Sequence, residues 1–148
     1  RISIIIKTTH QYMNIEDKIN YYKENLEILD ETIEKYKFLL DQGKTAKIFP
    51  EEFRMDSFKV KGCQAQVWLV PFIKDNLIYF HSDSDAFISK GMITIICDVY
   101  SGRSAEEING SNFNLLDELK LDTLLTPGRR NGVHSMLLKI KEHAASHI

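Results

Sequence analysis

Two cysteines carry the most distinctive chemistry in this chain. The first, Cys63, follows Gly62 and precedes the pair Gln64 and Gln66, after which an apolar, strand-like run begins at Val67. This order places the Cys63 thiol at a junction between a loop and a strand, where it can be presented to a partner. A thiolate in such a place can act as a nucleophile or take part in thiol exchange.

The second cysteine, Cys97, lies inside the apolar segment 92–100, which is typical of a buried core position. Two cysteines are too few for a disulfide-rich scaffold or for a zinc site with four cysteine ligands. A Cys63–Cys97 disulfide stays open, although nothing in the sequence indicates an oxidising compartment. On these residues alone, Cys63 could also be an inert, small hydrophobic side chain.

Two arginines near the chain's end lie against the local electrostatic preference. Thr126 and Pro127 have the residue types of an N-cap and a first helical position, so Arg129 and Arg130 fall in the first turn of a helix. The helix dipole disfavours cations there by roughly 0.3–1 kcal/mol each. The position therefore indicates a partner, either a carboxylate or the sulfur anion at Cys63; a solvated surface is the alternative.

Three further polar residues could contribute to a site at the cysteine loop. Asp85 precedes an apolar segment and is predicted to be the N-cap of a helix, a role worth about 1 kcal/mol. Gln64 and Gln66 alternate with Ala65 at the predicted strand start, so we expect both to point to one side. They could then hydrogen-bond the loop or a partner protein; ordinary strand-edge glutamines are the alternative.

The spacing of apolar residues predicts the helices that begin the chain. Between residues 15 and 40 these residues recur at intervals of three and four, which is typical of a helix with one apolar face. Asn14 and Asp17 form a predicted capping pair, and Gly43 a predicted helix end. Because the stretch is long, we expect a break in it, with Asp30 as the internal N-cap.

Shorter elements are predicted after a connecting loop at residues 44–61. Two strands, at 67–73 and 77–81, are joined by a short turn, and Pro71 indicates an edge position or a bulge. Gly91 lies within the next predicted helix, where it would permit close backbone packing. Helices are predicted at residues 86–100 and 113–121 and from residue 126 onward, and a short helix is predicted to start at residues 104–107.

Composition is that of a single-domain globular protein. A chain of 148 residues with 43% hydrophobic and 27% charged residues can bury a core of its own. Its evenly spread net charge of -2 gives no reason to expect nucleic-acid binding. Its apolar runs are shorter than the ~18 residues of a membrane span. We expect residues 14–148 to form one domain and residues 1–13 to be a poorly ordered extension or a fragment boundary. The expected location is the cytoplasm, or an organelle if the N-terminus is the remnant of a transit peptide.

Three separated segments together form a family pattern. They are Gly-Cys-Gln-Ala-Gln-Val-Trp-Leu at 62–69, Ser-Asp-Ser-Asp-Ala at 82–86 with Lys-Gly at 90–91, and Leu-Thr-Pro-Gly-Arg-Arg-Asn-Gly at 125–132. In order and spacing they resemble the SufE family, sulfur-accepting partners of cysteine desulfurases in iron–sulfur cluster assembly. The resemblance implies an α+β fold in which helices pack a small antiparallel sheet of about three strands, related to that of IscU proteins.

The same resemblance implies roles for the candidate residues. Cys63 would accept persulfide sulfur from a cysteine desulfurase, stimulate that enzyme, and pass the sulfur on to an iron–sulfur scaffold complex. Asp85 matches an aspartate close to the acceptor cysteine, and Arg129, rather than Arg130, matches the family's arginine. Gly62 would give the loop freedom to deliver the sulfur. No cofactor or resident metal is expected, and a homodimer stays open.

Two rival functions remain. A scaffold like the IscU proteins would supply several thiolates to iron, and one accessible cysteine is too few. A free-standing cysteine-dependent enzyme would need a base beside the thiol. His81 is the nearest histidine in sequence, and no motif places it at Cys63. The chain would therefore act as a transpersulfidation partner and activator of a desulfurase rather than as an independent enzyme.

Overall fold

A computed structural model describes residues 13–147, and its elements follow the predicted order. They are helices α1 (Ile15–Glu27) and α2 (Thr32–Lys44), strands β1 (Val67–Lys74) and β2 (Leu77–Ser84), and helices α3 (Phe87–Tyr100), α4 (Ala105–Asn109), α5 (Leu115–Glu118) and α6 (Pro127–Ala145). Two short 3-10 turns, Glu51–Phe53 and Asp56–Phe58, lie in the connection before β1. The predicted N-terminal extension lies outside the described residues, apart from Met13.

The first helix begins where its capping residues predict. The backbone nitrogen of Asp17 donates to the Asn14 side chain at 2.8 Å, and the Asn14 nitrogen donates back to the Asp17 carboxylate at 3.3 Å. The expected break is also present, but Asp30 is not the second N-cap. That position belongs to Glu31, whose side chain makes no capping hydrogen bond.

Helices α2 and α3 approach closely because glycines lie at their contact. A Cβ on Gly91 would lie 2.0 Å from the Leu39 carbonyl oxygen, which confirms that Gly91 permits close backbone packing. A Cβ on Gly43 would lie 3.1 Å from the Gly91 nitrogen. The prediction that Gly43 ends the helix is wrong, since α2 continues to Lys44. The missing side chain of Gly43 leaves room for α3 rather than permitting a turn.

The α+β class is confirmed, but the sheet described within residues 13–147 has two strands instead of about three. β1 and β2 pair antiparallel from Val67 opposite Ser84 to Lys74 opposite Leu77. Extended residues on either side form only isolated bridges, Lys59 with Trp68 and Ile78 with Arg103. The chain therefore touches both edges of the hairpin without adding a full strand.

Pro71 occupies an edge strand without a bulge, as one of its two predicted alternatives. It lies opposite Phe80, whose backbone nitrogen donates outward to the Ser101 hydroxyl at 3.2 Å. Pro71 and Phe80 therefore form a non-hydrogen-bonded pair, in which the backbone groups of both residues point away from the partner strand. Because the N–H that Pro71 lacks would have pointed outward, its absence costs no hydrogen bond between the strands. The turn at Asp75 and Asn76 has positive φ at both positions, as the type I′ hairpin turn requires.

Helix α3 lies at the centre of the core and packs against α2, β2 and α6. Cys97, on this helix, is 8% exposed, and burial raises the pKa of its thiol to about 12. The prediction that Cys97 is a core residue is therefore confirmed. Apolar residues that recur along α6 at helical spacing are all buried as well: Val133, Met136, Leu137, Ile140 and Ala144. No helix in residues 13–147 has the length and apolar character needed to cross a membrane.

Candidate functional site

Cys63 lies on a loop that packs against the N-terminal half of α6. Its thiol donates a hydrogen bond to the Gly132 carbonyl oxygen at 3.5 Å, and a Cβ on Gly132 would lie 3.6 Å from the sulfur. The side chain is partly buried and contacts the main core. This burial raises the pKa of the Cys63 thiol above its ordinary value, so the resting group is a protonated thiol at neutral pH.

The seat of the cysteine loop is a row of small residues on α6, namely Gly128, Gly132 and Ser135. A Cβ on Gly128 would lie 2.6 Å from the Gln64 side-chain oxygen, and a Cβ on Gly62 would lie 2.5 Å from the Ser135 hydroxyl. This seat is not among the predicted features. The sequence pattern that could have predicted it is the spacing of Gly128, Gly132 and Ser135 by four and then three residues, which places three small residues on one face of a helix.

Gly62 allows the loop to enter this seat. Its φ of +87° lies in the left-handed region, which costs other L-residues roughly 1–2 kcal/mol. The turn at Gly62 brings the following cysteine against α6. Gly62 was expected to make the loop flexible. In the structure, it instead allows the one backbone conformation that places the loop against α6.

The other end of the loop is held by Asp85. Its carboxylate accepts hydrogen bonds from the Gln66 backbone nitrogen at 3.0 Å and from the Gln66 side-chain nitrogen at 2.9 Å. The Asp85 nitrogen donates to the Gln66 carbonyl at 3.2 Å, and the Ser84 hydroxyl donates to the same oxygen at 2.8 Å. The side-chain hydrogen bond from Gln66 is the main cause of a lowered pKa at Asp85.

The prediction that Asp85 is the N-cap of the next helix is wrong. Ala86 occupies the N-cap position of α3 and has no side-chain hydrogen bond to the helix. The Asp85 carboxylate bonds Gln66 instead. Gln66 comes just before β1 and Asp85 just after β2, and these two strand ends are paired with each other. One aspartate thus joins the cysteine loop to the start of α3.

Gln64 and Gln66 have different neighbours, contrary to the expected alternation. Residues 64 and 65 form a bend rather than part of β1, so the alternation of strand side chains does not apply to them. Gln64 lies against Gly128 at the start of α6, and Gln66 bonds Asp85. Gln64 therefore contacts α6, whereas Gln66 contacts the residue that follows β2.

The two arginines lie at the start of α6, next to the seat. Thr126 is its N-cap, as predicted, and accepts from the Arg129 backbone nitrogen at 3.4 Å. Arg130 donates to the Asp122 carbonyl at 3.0 Å. The Arg129 side chain is exposed and makes no hydrogen bond or ion pair within residues 13–147. The structure therefore does not bond Arg129 to Cys63, and its role stays a prediction.

His81 lies in an aromatic stack and not at the cysteine. Its ring stacks on Phe72 and Phe53, with centroid distances of 4.4 Å and 5.7 Å. The Cys63 thiol has its one hydrogen bond, among the described residues, to a backbone carbonyl. Over the same range, no cluster of three or more histidine, cysteine or acidic residues has the arrangement of a metal site.

Comparison with known proteins now decides the family. Residues 20–144 match the family model SufE, described as the Fe-S metabolism associated domain. The chain belongs to the SufE family. Membership confirms the resemblance carried by the three motifs and associates this SufE family member with iron–sulfur metabolism.

Two SufE-like relatives from rhizobia match most of the chain. An uncharacterized SufE-like protein of Rhizobium meliloti is 33% identical over 126 residues, which is 82% of this chain and 90% of the relative. Another, from Rhizobium etli, is 35% identical over 121 residues, covering 78% of this chain and 82% of the relative. Each relative therefore matches more than three quarters of this SufE family member.

A solved structure shares the fold. The solution structure of a hypothetical protein from Thermus thermophilus has a TM-score of 0.73 and covers 88% of this chain and 95% of its own. The two are 16% identical, so the likeness concerns the fold alone. The SufE family architecture described above thus occurs in an independently determined structure.

Proposed function

We propose that this protein carries sulfur as a persulfide on Cys63. The observation that carries the proposal is the setting of Cys63: within the family's motif, it is the partly accessible one of two free cysteines, on a loop held at both ends. A cysteine desulfurase supplies the sulfur, and an iron–sulfur scaffold complex receives it.

The transfer is an exchange between sulfur atoms without net oxidation. The Cys63 thiolate attacks the terminal sulfur of a persulfide on the desulfurase cysteine. A sulfur–sulfur bond forms at Cys63, the sulfur–sulfur bond on the desulfurase breaks, and the desulfurase cysteine leaves as a thiolate. The proton lost by Cys63 goes to solvent or to a base of the partner.

The resting state of Cys63 favours a protein that acts only in a complex. The thiol is protonated, partly buried and bonded to Gly132, so it must lose its proton before it attacks. A backbone carbonyl is no general base, and His81 is engaged in its aromatic stack. These facts disfavour a free-standing hydrolase or peroxidase. A scaffold is disfavoured because Cys97 is buried and leaves one usable thiolate.

The other candidate residues support the loop in this proposal. Asp85 and Gln66 hold its C-terminal end, and Gly62 shapes its entry. Arg129 is free to face an anion, either the newly formed persulfide at Cys63 or an acidic group of the partner. The helix dipole disfavours a cation at that position, which is consistent with a functional reason for its presence.

Mass spectrometry after incubation with a cysteine desulfurase and free cysteine tests the function. We expect one or more added sulfur atoms on Cys63, released by a thiol reductant, and faster turnover by the desulfurase. Cys63→Ser loses both effects, whereas Cys97→Ser, as the matched control, keeps them. Sulfur that still adds to the Cys63→Ser protein would overturn the proposal. A stable coloured cluster formed on the isolated protein would favour the scaffold instead.

A further inference from the structure

Two large apolar side chains lie exposed on the elements that support the cysteine loop. Phe87 is the first residue of α3 and is 81% exposed. It lies two residues after Asp85, whose carboxylate holds Gln66. Leu138 is 57% exposed and lies three residues after Ser135, about 4.5 Å further along the axis of α6.

Both residues lie beside segments that contact the cysteine loop. A standard interface covers about 800 Å² of each protein, a patch roughly 30 Å across. Phe87 is linked to the loop through the Asp85–Gln66 bonds, and Leu138 through the Ser135–Gly62 contact. One exposed apolar side chain thus follows each of the two contacts that hold the cysteine loop, Phe87 on α3 and Leu138 on α6.

The same area carries unpaired positive charge. Lys61 and Arg129 are exposed, and within residues 13–147 neither makes an ion pair. Lys61 is two residues before Cys63, and Arg129 follows the Gly128 that contacts Gln64. The chain as a whole has a net charge of -2, so the excess of cations is local. The nearby Asp85 carboxylate keeps its negative charge, because its hydrogen bonds come from the neutral Gln66, so it offsets one of these two cations.

We propose that Phe87 and Leu138 are the apolar anchors of the docking face for the desulfurase, and that Lys61 and Arg129 meet an acidic rim on it. This inference rests on the proposed function and adds the residues that recognise the partner. Large aromatic side chains dominate interface energies when they enter a pocket of the partner. Complementary charge mainly speeds association and makes it depend on salt.

Two residues at the far end of the hairpin provide matched controls. Ile73 is 48% exposed, and Lys74 is exposed without an ion pair within the described range. Ile73 lies six residues along β1 from Val67, roughly 20 Å at about 3.3 Å per residue. Ile73→Ala likewise truncates an exposed apolar side chain to alanine, and Lys74→Glu makes the same charge change as Lys61→Glu, both away from the cysteine loop.

Titration against a purified SufS-type cysteine desulfurase tests the docking face. The concentration of this protein that gives half-maximal stimulation is measured for each variant, together with the melting temperature to verify folding. Phe87→Ala raises that concentration by about tenfold or more, and Leu138→Ala raises it less. Saturating Phe87→Ala still receives sulfur on Cys63. Lys61→Glu weakens binding most at low salt, and both controls stay within about twofold of the wild type.

The outcomes separate the two proposals. If the wild-type protein neither stimulates the desulfurase nor receives sulfur, the proposed function fails and the docking face fails with it. If the wild type is active and Phe87→Ala matches Ile73→Ala, only the docking face is overturned. Equal effects of Lys61→Glu and Lys74→Glu at low salt would overturn the acidic rim.

Discussion

The Cys63 thiol donates its hydrogen bond to the carbonyl of Gly132, 69 positions later in the chain, at 3.5 Å. The acceptor is a helical backbone group, and the missing side chain of the same glycine leaves room for the sulfur. The bond stabilises the thiol form, because a thiolate cannot donate. This relationship makes the reactivity of Cys63 depend on how its loop lies on α6.

Alkylation with iodoacetamide across pH should separate the two cysteines. Burial raises the pKa of both thiols, and that of Cys97 reaches about 12. We expect Cys63 in the folded protein to react slowly at pH 7 and progressively faster above its ordinary pKa of about 8.5. Cys97 should stay unmodified over the same range. Peptide mapping by mass spectrometry measures both, and labelling of Cys97 at pH 8 under native conditions would contradict its burial.

Replacing Gly62 should disturb the loop in two separable ways. Gly62→Ala introduces a side chain at φ +87° and a Cβ 2.5 Å from the Ser135 hydroxyl. We expect a loss of unfolding free energy of about 1–2 kcal/mol from the backbone alone, plus the cost of the contact. Chemical denaturation measures the sum. Ser135→Ala in the Gly62→Ala background should recover part of the lost unfolding free energy. If none is recovered, the Ser135 hydroxyl moves away from the new Cβ without destabilising the protein.

Weakening the Asp85 clamp should mobilise the cysteine loop. Asp85→Asn keeps one carbonyl acceptor and loses the charge, whereas Gln66→Ala removes the side-chain donor but keeps the backbone bond. Both changes should speed amide hydrogen exchange at residues 62–66, as measured by mass spectrometry or NMR. Ser89→Ala in the first turn of α3 serves as a control. Unchanged exchange in Asp85→Asn would show that the loop is held by other contacts.

The same clamp should weaken in acid. The pKa of Asp85 is lowered, chiefly by the Gln66 side-chain hydrogen bond, so the carboxylate favours the folded arrangement. Its contribution is fully present above the ordinary carboxyl pKa and is lost as pH falls through the lowered value. The protection factor of the loop amides, which is their exchange rate relative to the intrinsic rate at each pH, should therefore fall at low pH in the wild type. In Asp85→Asn this component should be absent; an identical acid response in both proteins would assign it to other groups.

The glycines between α2 and α3 should differ in their tolerance of alanine. Gly91→Ala places a Cβ 2.0 Å from the Leu39 carbonyl oxygen, a backbone atom that moves only with its helix. We expect a loss of about 3 kcal/mol or more in unfolding free energy. Gly43→Ala, with its nearest atom at 3.1 Å, should cost less, since alanine also favours the helix by about 1 kcal/mol. Denaturant titration compares them, and equal stability would contradict the packing argument.

Features that depend on near neighbours in the chain could be predicted from the sequence. The capping pair of Asn14 and Asp17, the apolar face of α6 and the N-cap at Thr126 all follow from residues within a few positions of one another. The hairpin and the burial of Cys97 also follow from local apolar patterns. The family motifs themselves indicated Cys63 and the α+β class.

Only the tertiary structure decided what the polar and glycine residues near the site contact. Asp85 had the residue type of an N-cap, but Gln66, 19 positions earlier, offers it two hydrogen-bond donors. Gly43 had the residue type of a helix end, yet it lies where another helix approaches. A short polar side chain or a bare backbone suits either a local or a distant partner. Which partner it has depends on how distant segments of the chain pack together, and the neighbouring residues in the sequence do not determine that packing.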